Sequence, residues 1–540
     1  MSSNSYAPED PSGKTWDVVV IGTGMGGSTV GHALARRGHE VLFIEKGMFL
    51  FGDHDRGDGR EPGSPDESAA GRMSRGWWPL QLQGKTSFGE VSFFAPLGCG
   101  TGGSTAVYAA QLERFAPCDF TPRANFPDVP DASLPEAWPI SYDELAPYYA
   151  EAERALGVRG TQDPLHPDNG SALMAPPKLS GRDQDLFDSF LELGLHPYHS
   201  HVGCRTVEGC EGCGGALCPR ACRTGDAGRS FLLPALQRHG AKILTDCEVT
   251  WLEADSSTVS EVRCLQNGNE LCIRARIVIL AAGAYMSPVL LLRSRSDAWP
   301  DGLANTSGLV GRNLMLHASD FIIVRPRQQL SDEGPGKSIS LNDFYVQDGV
   351  KLGTFQTVGF TIDWRHVLYF LRMQAGKGSK PWMKLARPFY RPIAFVGGRF
   401  FSKAKVFATV IEDLPYHDNR IVLDPEASNG RRFEYEYPEE LAQRSQLFLE
   451  KLKATLGPNH KLISLSDGNN INYGHVCGTC RFDDDPSAGV LDRNNRAHDL
   501  ENLYVVDASF FPSSGGTNPS LTIAANALRV AEVIHAHLAA

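Results

Sequence analysis

The chain is short of positive charge and of long apolar runs, and each shortage excludes something. Its 540 residues carry 52 Lys and Arg against 63 Asp and Glu, a net charge of −11. A general nucleic-acid binder needs the opposite, a basic footprint for phosphates. No stretch approaches the roughly 20 apolar residues of a membrane-spanning helix. The beginning, MSSNSYAPEDPSGKTW, has no basic start followed by an apolar run, so no secretory signal is expected. Twelve cysteines without such a signal suggest reduced thiols, some available to metal, in a cytoplasmic protein. Internal repeats are absent, and the 55 glycines cluster at particular turns instead of forming a low-complexity tract. What remains is an ordinary folded protein, 42% hydrophobic and 21% charged, whose length suggests about three or four domain-sized units.

The strongest local pattern is WDVVVIGTGMGGSTVGHALARRGHEVLFIEKG, residues 16 to 47. Asp17 to Ile21 is an apolar, β-branched run of the kind that forms a buried parallel strand. It ends in Gly22, Gly24 and Gly27, spaced G-x-G-x-x-G around Met25 and Gly26. A helix follows with Val30 and Leu34 on one face, then a second strand, Glu40 to Ile44, running into Glu45 and Lys46. Each piece has a task in dinucleotide binding. Gly22 permits a tight turn, Gly24 lets the main chain approach a pyrophosphate, and Gly27 lets helix and strand pack closely. The helix amino terminus offers N–H groups and the positive end of its dipole, and Glu45 can accept hydrogen bonds from a ribose. The motif by itself does not choose between nicotinamide and flavin.

Further along, APLGCGTGGSTAVYAAQLERF (95–115) places glycines and small residues before an expected helical run. Such a run lets main chain lie against a flat or anionic ligand, or serves as a flexible loop capping the helix. PISYDELAPYYAEAERALG (139–157) reads as one helix, with Ser141 as cap and Glu144 three residues on. Strands are expected over 241–253 and 274–280, the second leading through Ala281, Ala282 and Gly283 into a helix. Residues 364–411 hold ten Lys and Arg, no Asp or Glu, and nine or more aromatics. That composition suits a solvated face over core aromatics, a lid, or a docking patch for a membrane surface or acidic partner.

Near the carboxyl end, INYGHVCGTCRFDDDP sets His475 two residues before Cys477 and five before Cys480. A zinc site wants four ligands, and this stretch offers three at most. The last segment, NLYVVDASFFPSSGGTNPSLTIAANALRVA (502–531), gives a strand over Leu503 to Val506, a polar loop, and Pro519 where a helix starts. Together with the amino-terminal dinucleotide motif, GTGGSTAVY (100–108), WPISYDELAPYYAEAE (138–153), VILAAGAYMSPVLLLRS (278–294), GLVGRNLMLH (308–317) and HVCGTC (475–480), these blocks resemble the glucose–methanol–choline (GMC) flavoprotein oxidoreductases, in family order along nearly the whole chain. The middle, about 320–460, carries little of the resemblance.

The resemblance implies an α/β fold, α+β overall. A Rossmann-like FAD-binding domain would be assembled from 1–120, 223–320 and 465–540, and a substrate domain with an antiparallel sheet and covering helices from 121–222 and 321–464. It implies FAD held by Gly22, Gly24, Met25, Gly26, Gly27, Glu45, Lys46, Gly102, Gly103, Ser104, Val249, Ala282, Gly283, Asp507, Ala508, Asn518 and Pro519. No histidine occupies 104–108, where some relatives attach FAD covalently, so the flavin is expected to be non-covalent. The family's catalytic pair falls on His475 and Asn518; many relatives carry a second histidine where this chain has Asn518. A histidine suits a base near neutrality, and an asparagine can donate to a developing alkoxide. The expected reaction is oxidation of a CH–OH group of a small polar alcohol: a sugar, polyol, glycoside or aminosugar. An apolar or sterol alcohol is the alternative, with 364–411 as a membrane-facing lid. The electron acceptor is O2, a quinone-like or artificial acceptor, or a partner protein. Cys210, Cys213, Cys218 and Cys222, spaced C-x-x-C-x4-C-x3-C, only partly match the iron–sulfur loop of some dehydrogenase relatives. Structural thiols, a disulfide and zinc stay open there.

Overall fold

In the computed structural model, the described residues are 5–51, 68–166, 170–204, 225–328, 330, 334–359, 364, 367–368, 389–401, 404–465 and 470–540. Two large sheets organise them. The first is built on Thr15–Ile21, fully apolar through its last four residues, which pairs in parallel with Val41–Ile44 and with the second half of Asn269–Leu280. Lys242–Leu244 extends it beyond Val41–Ile44, and Leu503–Val505 pairs in parallel with the far side of Asn269–Leu280. The register aligns all five strand ends: Ile21 with Ile44 and Leu280, Ile44 with Leu244, Leu280 with Val505. The residues that follow these ends therefore meet at one edge, although the sequence separates them by almost 500 positions. The first half of Asn269–Leu280 turns away into an antiparallel meander with Val259–Gln266 and Cys247–Ala254.

Helix Met25–Arg36 packs on this sheet and against the carboxyl-terminal helix Ser520–Ala539, which in turn packs on Tyr142–Leu156. The last helix begins as its sequence predicts: Ser141 Oγ accepts from the Glu144 amide at 3.2 Å, and the Ser141 amide donates to Glu144 at 2.8 Å.

Two sequence expectations change. The strand expected over 241–253 is broken: Asp246 takes φ +50°, which ends Lys242–Leu244 and starts Cys247–Ala254 in a different pairing. The helical run expected after the glycines at 98–103 is a single turn, Gly103–Ala106, because Ala110 takes φ +54° and Gln111 bridges to Val202 instead.

The second sheet has eight strands in the order Leu462–Ser464, Phe321–Val324, Lys405–Glu412, Gly353–Thr357, Ile339–Leu341 and Tyr198–His199. Met315–Ala318 pairs with Lys405–Glu412 and with Ile471–Cys477, and every pairing is antiparallel. Because side chains alternate along a strand, one face packs a core. Ile322, Phe355, Phe407 and Ile411 lie there against Leu186 and Phe190 of helix Gly181–Glu192 and Leu441, Phe448 and Leu452 of helix Glu439–Leu456. Gln356 and Glu412, next to Phe355 and Ile411, fall on the opposite face, and so does His317, which pairs with Glu412.

Candidate active site

A cavity of about 1500 Å³ runs from the aligned strand ends toward the second sheet. At the strand-end side it is walled by Gly22, Gly24, Met25 and Gly26, then by Glu45 and Lys46, Gly103 and Ser104, Val249, Ala282 and Gly283, Asp507, Ala508 and Pro519. Three expected residues, Gly27, Gly102 and Asn518, are not part of this lining. A Cβ on Gly27 would meet the Gly22 carbonyl at 2.1 Å, so this glycine serves the helix–strand contact. Gly102 takes φ +93° in the loop that sets Gly103 against Gly24, and Asn518 sits half-buried one residue before Pro519.

The wall is a main-chain surface. Gly22 has φ +97°, and a Cβ there would strike the Ala281 carbonyl at 2.4 Å; at Gly24 a Cβ would meet nothing within 4 Å. No side chain caps helix Met25–Arg36, so its first-turn N–H groups are left for a ligand. A buried carboxylate ties the two glycine loops together. Glu45 accepts from the Thr23 amide (3.1 Å) and hydroxyl (2.6 Å) on one oxygen, and from the Gly47 (2.9 Å) and Gly100 (3.2 Å) amides on the other. Asp507 does the same on the far side, accepting from the Gly283 amide at 3.0 Å and the Ser509 amide at 2.9 Å, with burial pushing its carboxyl pKa up. Lys46 is paired with Glu248 at 2.7 Å. An open, glycine-walled cleft at a helix amino terminus, with acids holding its rims, fits FAD.

At the other end stands His475. Ile471–Cys477 pairs through Cys477 with Met315 and through Asn472 with His317, so residues 473–476 oppose only Leu316. This bulge turns His475 out of the sheet and onto the cavity wall. Its Nδ1 is buried with no partner among the described residues, which leaves Nε2 as the usable nitrogen. Burial first, then the neighbouring His317 and Lys337, hold its pKa well below the ordinary histidine value. His317 stands edge-on to it, with ring centroids 5.0 Å apart at 89°. Since a carbonyl only accepts, the 2.9 Å contact from His317 Nε2 to the Gly515 oxygen fixes the proton on Nε2. Burial lowers the His317 pKa to about 4. Cys477 and Cys480 are buried free thiols that pack the His475 loop.

Gly515 opens the segment that carries Asn518, and the second sheet grips that segment. The Gly515 amide donates to Glu412 at 3.2 Å, the Gly516 amide to the Tyr345 hydroxyl at 2.9 Å, and the Thr354 amide to the Gly516 carbonyl at 3.0 Å. Beneath lies a fully buried ion cluster in which the Lys351 ammonium touches both Asp119 and Glu412, and Tyr345 donates to Asp119 at 2.7 Å. Burial opposes the Lys351 charge, but the two carboxylates outweigh it and raise the pKa.

Sequence reasoning missed this cluster, as it missed Trp77, Trp78 and Tyr285 on the cavity wall. Nothing local marks any of them; only the alternation of the second sheet, read with its register, would have flagged Glu412. Trp364, Leu368 and Arg391 from the basic aromatic stretch also line the cavity. The cysteines at 210, 213, 218 and 222 lie outside the described residues, and among the described residues no group of acids, cysteines and histidines could hold a metal ion.

Comparison with known proteins places the chain in a family. Two family models, both described as GMC oxidoreductase, match residues 17–319 and 441–527. Paromamine 6'-oxidase of Streptomyces fradiae is 29% identical over 96% of this chain and 91% of its own length. The 2-methyl-1,2-propanediol dehydrogenase of Mycolicibacterium austroafricanum is 28% identical over 96% and 95%. The crystal structure of pyridoxine 4-oxidase from Mesorbium loti superposes with a TM-score of 0.63 at 20% identity, covering 97% of this chain and 100% of that one. Matched over more than half its length, the chain belongs to the GMC oxidoreductases, a family of FAD-binding enzymes.

Proposed function

We propose that this enzyme oxidises a CH–OH group of a small polar alcohol, a sugar, polyol, glycoside or aminosugar, to the carbonyl. The observation that carries the reading is His475, neutral through burial and turned by a bulge onto the wall of the glycine-lined cavity. Its Nε2 takes the hydroxyl proton, and Asn518 donates a hydrogen bond to the oxygen as negative charge develops there. When bound, FAD supplies the acceptor for the hydride leaving the carbon, a task no side chain performs. The strand-end glycines, Glu45, Asp507 and their neighbours hold it, and the 104–108 stretch has no histidine to bind it covalently. The two named curated relatives act on paromamine and on 2-methyl-1,2-propanediol, both polar hydroxyl compounds, which supports the substrate class.

The domain division follows from the same reading: 1–120, 223–320 and 465–540 hold the flavin, and 121–222 with 321–464 shape the substrate side. Strands Met315–Ala318 and Ile471–Cys477 cross to the substrate-side sheet and couple the two. The electrons pass on to O2, a quinone-like acceptor or a protein. Cys99, Cys118, Cys247, Cys264, Cys272, Cys477 and Cys480 are free thiols, in keeping with a cytoplasmic enzyme. Acid precipitation of one portion should release free FAD, and the test on the native enzyme is an anaerobic screen of sugars, polyols and aminosugars that follows bleaching of the flavin band. Bleaching by a polar alcohol supports the reading; bleaching only by long-chain or sterol alcohols overturns its substrate class.

One observation favours that second reading. Helix Tyr390–Phe401 packs inward through Ala394 and Gly398 but turns Ile393, Phe395 and Val396 outward, at 48%, 58% and 69% exposure. Arg391 of this helix lines the cavity with Trp364 and Leu368. An apolar, basic face beside the cavity suits contact with an anionic lipid surface. Co-sedimentation with phosphatidylserine vesicles that Phe395→Asp abolishes would support it; equal partition with and without vesicles would remove it.

A further inference from the structure

An asparagine amide presents a donor on one side and an acceptor on the other, and the sequence does not say which side faces the reacting alcohol. We propose that Gln356 is the positioning residue that turns the Asn518 amide so that its Nδ2 faces the substrate oxygen. This rests on the role given to Asn518 above. Gln356 Nε2 donates to Asn518 Oδ1 at 2.8 Å. That bond occupies the acceptor side of the asparagine, while Nδ2 has no partner among the described residues and is not among the buried, unpartnered atoms.

Gln356 is suited to hold a neighbour in place. It is 4% exposed, in mid-strand in Gly353–Thr357, between Ser340 on one side and Ala408 on the other. Its neighbour Phe355 is stacked on Phe407 at 4.6 Å in the core of the opposite face, which fixes the direction in which Gln356 points. The same strand grips the asparagine loop from the main chain, through the Thr354 amide on the Gly516 carbonyl. Backbone and side chain of one strand therefore fix both the place and the rotation of Asn518. If the asparagine were turned the other way, its carbonyl oxygen would confront the alkoxide oxygen. Two acceptors would then face each other where negative charge develops, and the transition state would be opposed.

The test is Gln356→Glu, read in the reductive half-reaction over a pH range. Protonated, the introduced carboxyl donates to Asn518 Oδ1 as the glutamine does. Ionised, it only accepts, captures Nδ2 and turns Oδ1 toward the substrate. Flavin reduction by substrate is expected to approach the wild-type rate at the acid end and to fall about tenfold or more as pH rises. This titration should be missing from wild type and from Gln356→Leu, with flavin content similar in all three. Gln356→Glu that reduces flavin at the wild-type rate at high pH would overturn the proposal, since the amide would then be oriented the other way. Asn518→Ala separates the two ideas. Normal reduction in that variant removes the role of Asn518 itself and this proposal with it. Slow reduction there, with a flat profile in Gln356→Glu, removes only Gln356.

Discussion

The two sheets build their parts of the site by different means. The parallel sheet contributes main chain: five aligned strand ends, glycines without Cβ atoms, and carboxylates that accept from loop amides. The antiparallel sheet contributes side chains: His317, Gln356 and Glu412, set on one face by register, and His475, which a bulge turns onto the cavity wall. On the main-chain surface a Cβ at Gly22 or Gly26 would strike a carbonyl, and the carboxylates are committed to loop amides. A side-chain surface can be retuned residue by residue, at the cost of a buried ionic scaffold behind it.

The largest effect comes from filling the main-chain surface. A Cβ on Gly26 would stand 2.0 Å from the Val506 carbonyl, so Gly26→Val is expected to purify without flavin and without activity, read from the ratio of flavin to protein absorbance. Full flavin content would break the comparison. Next is His475→Ala, which should keep its flavin and lose about 10²- to 10⁴-fold in the rate of flavin reduction by substrate. Loss of flavin along with the rate would make His475 part of the cradle instead.

Lys351→Met probes the scaffold, because it strands the buried Asp119 and Glu412 carboxylates. The expected cost is about 3–5 kcal/mol in denaturant unfolding. A loss below about 1 kcal/mol, the level of an exposed pair, would show that the cluster does not hold the loop. The smallest effect is a pH dependence. His317 has its pKa lowered from 6.5 to about 4, so between those values the unfolded chain binds a proton that the fold does not. Stability contributed by keeping this ring neutral is present above pH 6.5 and is lost as pH falls through about 4. His317→Gln should flatten this part of the stability profile; an unchanged slope would assign it to other groups.

Legibility followed the same division. The glycine spacing, Glu45 and the capping box of Tyr142–Leu156 were readable because turn, cap and parallel strand are each set by residues a few positions apart. Local reading overreached where one residue at positive φ decided the outcome, at Asp246 and at Ala110. His475 and Asn518 were found by family resemblance, whereas the bulge that aims His475 leaves no local mark. Gln356 and Lys351 sit in the middle stretch that carries little of the family resemblance, and their importance depends on partners 162 and 232 residues away in sequence.

By itself, then, the sequence determined the dinucleotide cradle, the family and the identity of the candidate base, because those depend on short-range geometry and on blocks retained in order. Only the tertiary structure decided that strand ends nearly 500 residues apart share one edge, that His317 keeps its proton on Nε2, and that Gln356 meets Asn518. Those outcomes depend on register between distant strands, where a slip of one residue would turn every one of these side chains to the other face.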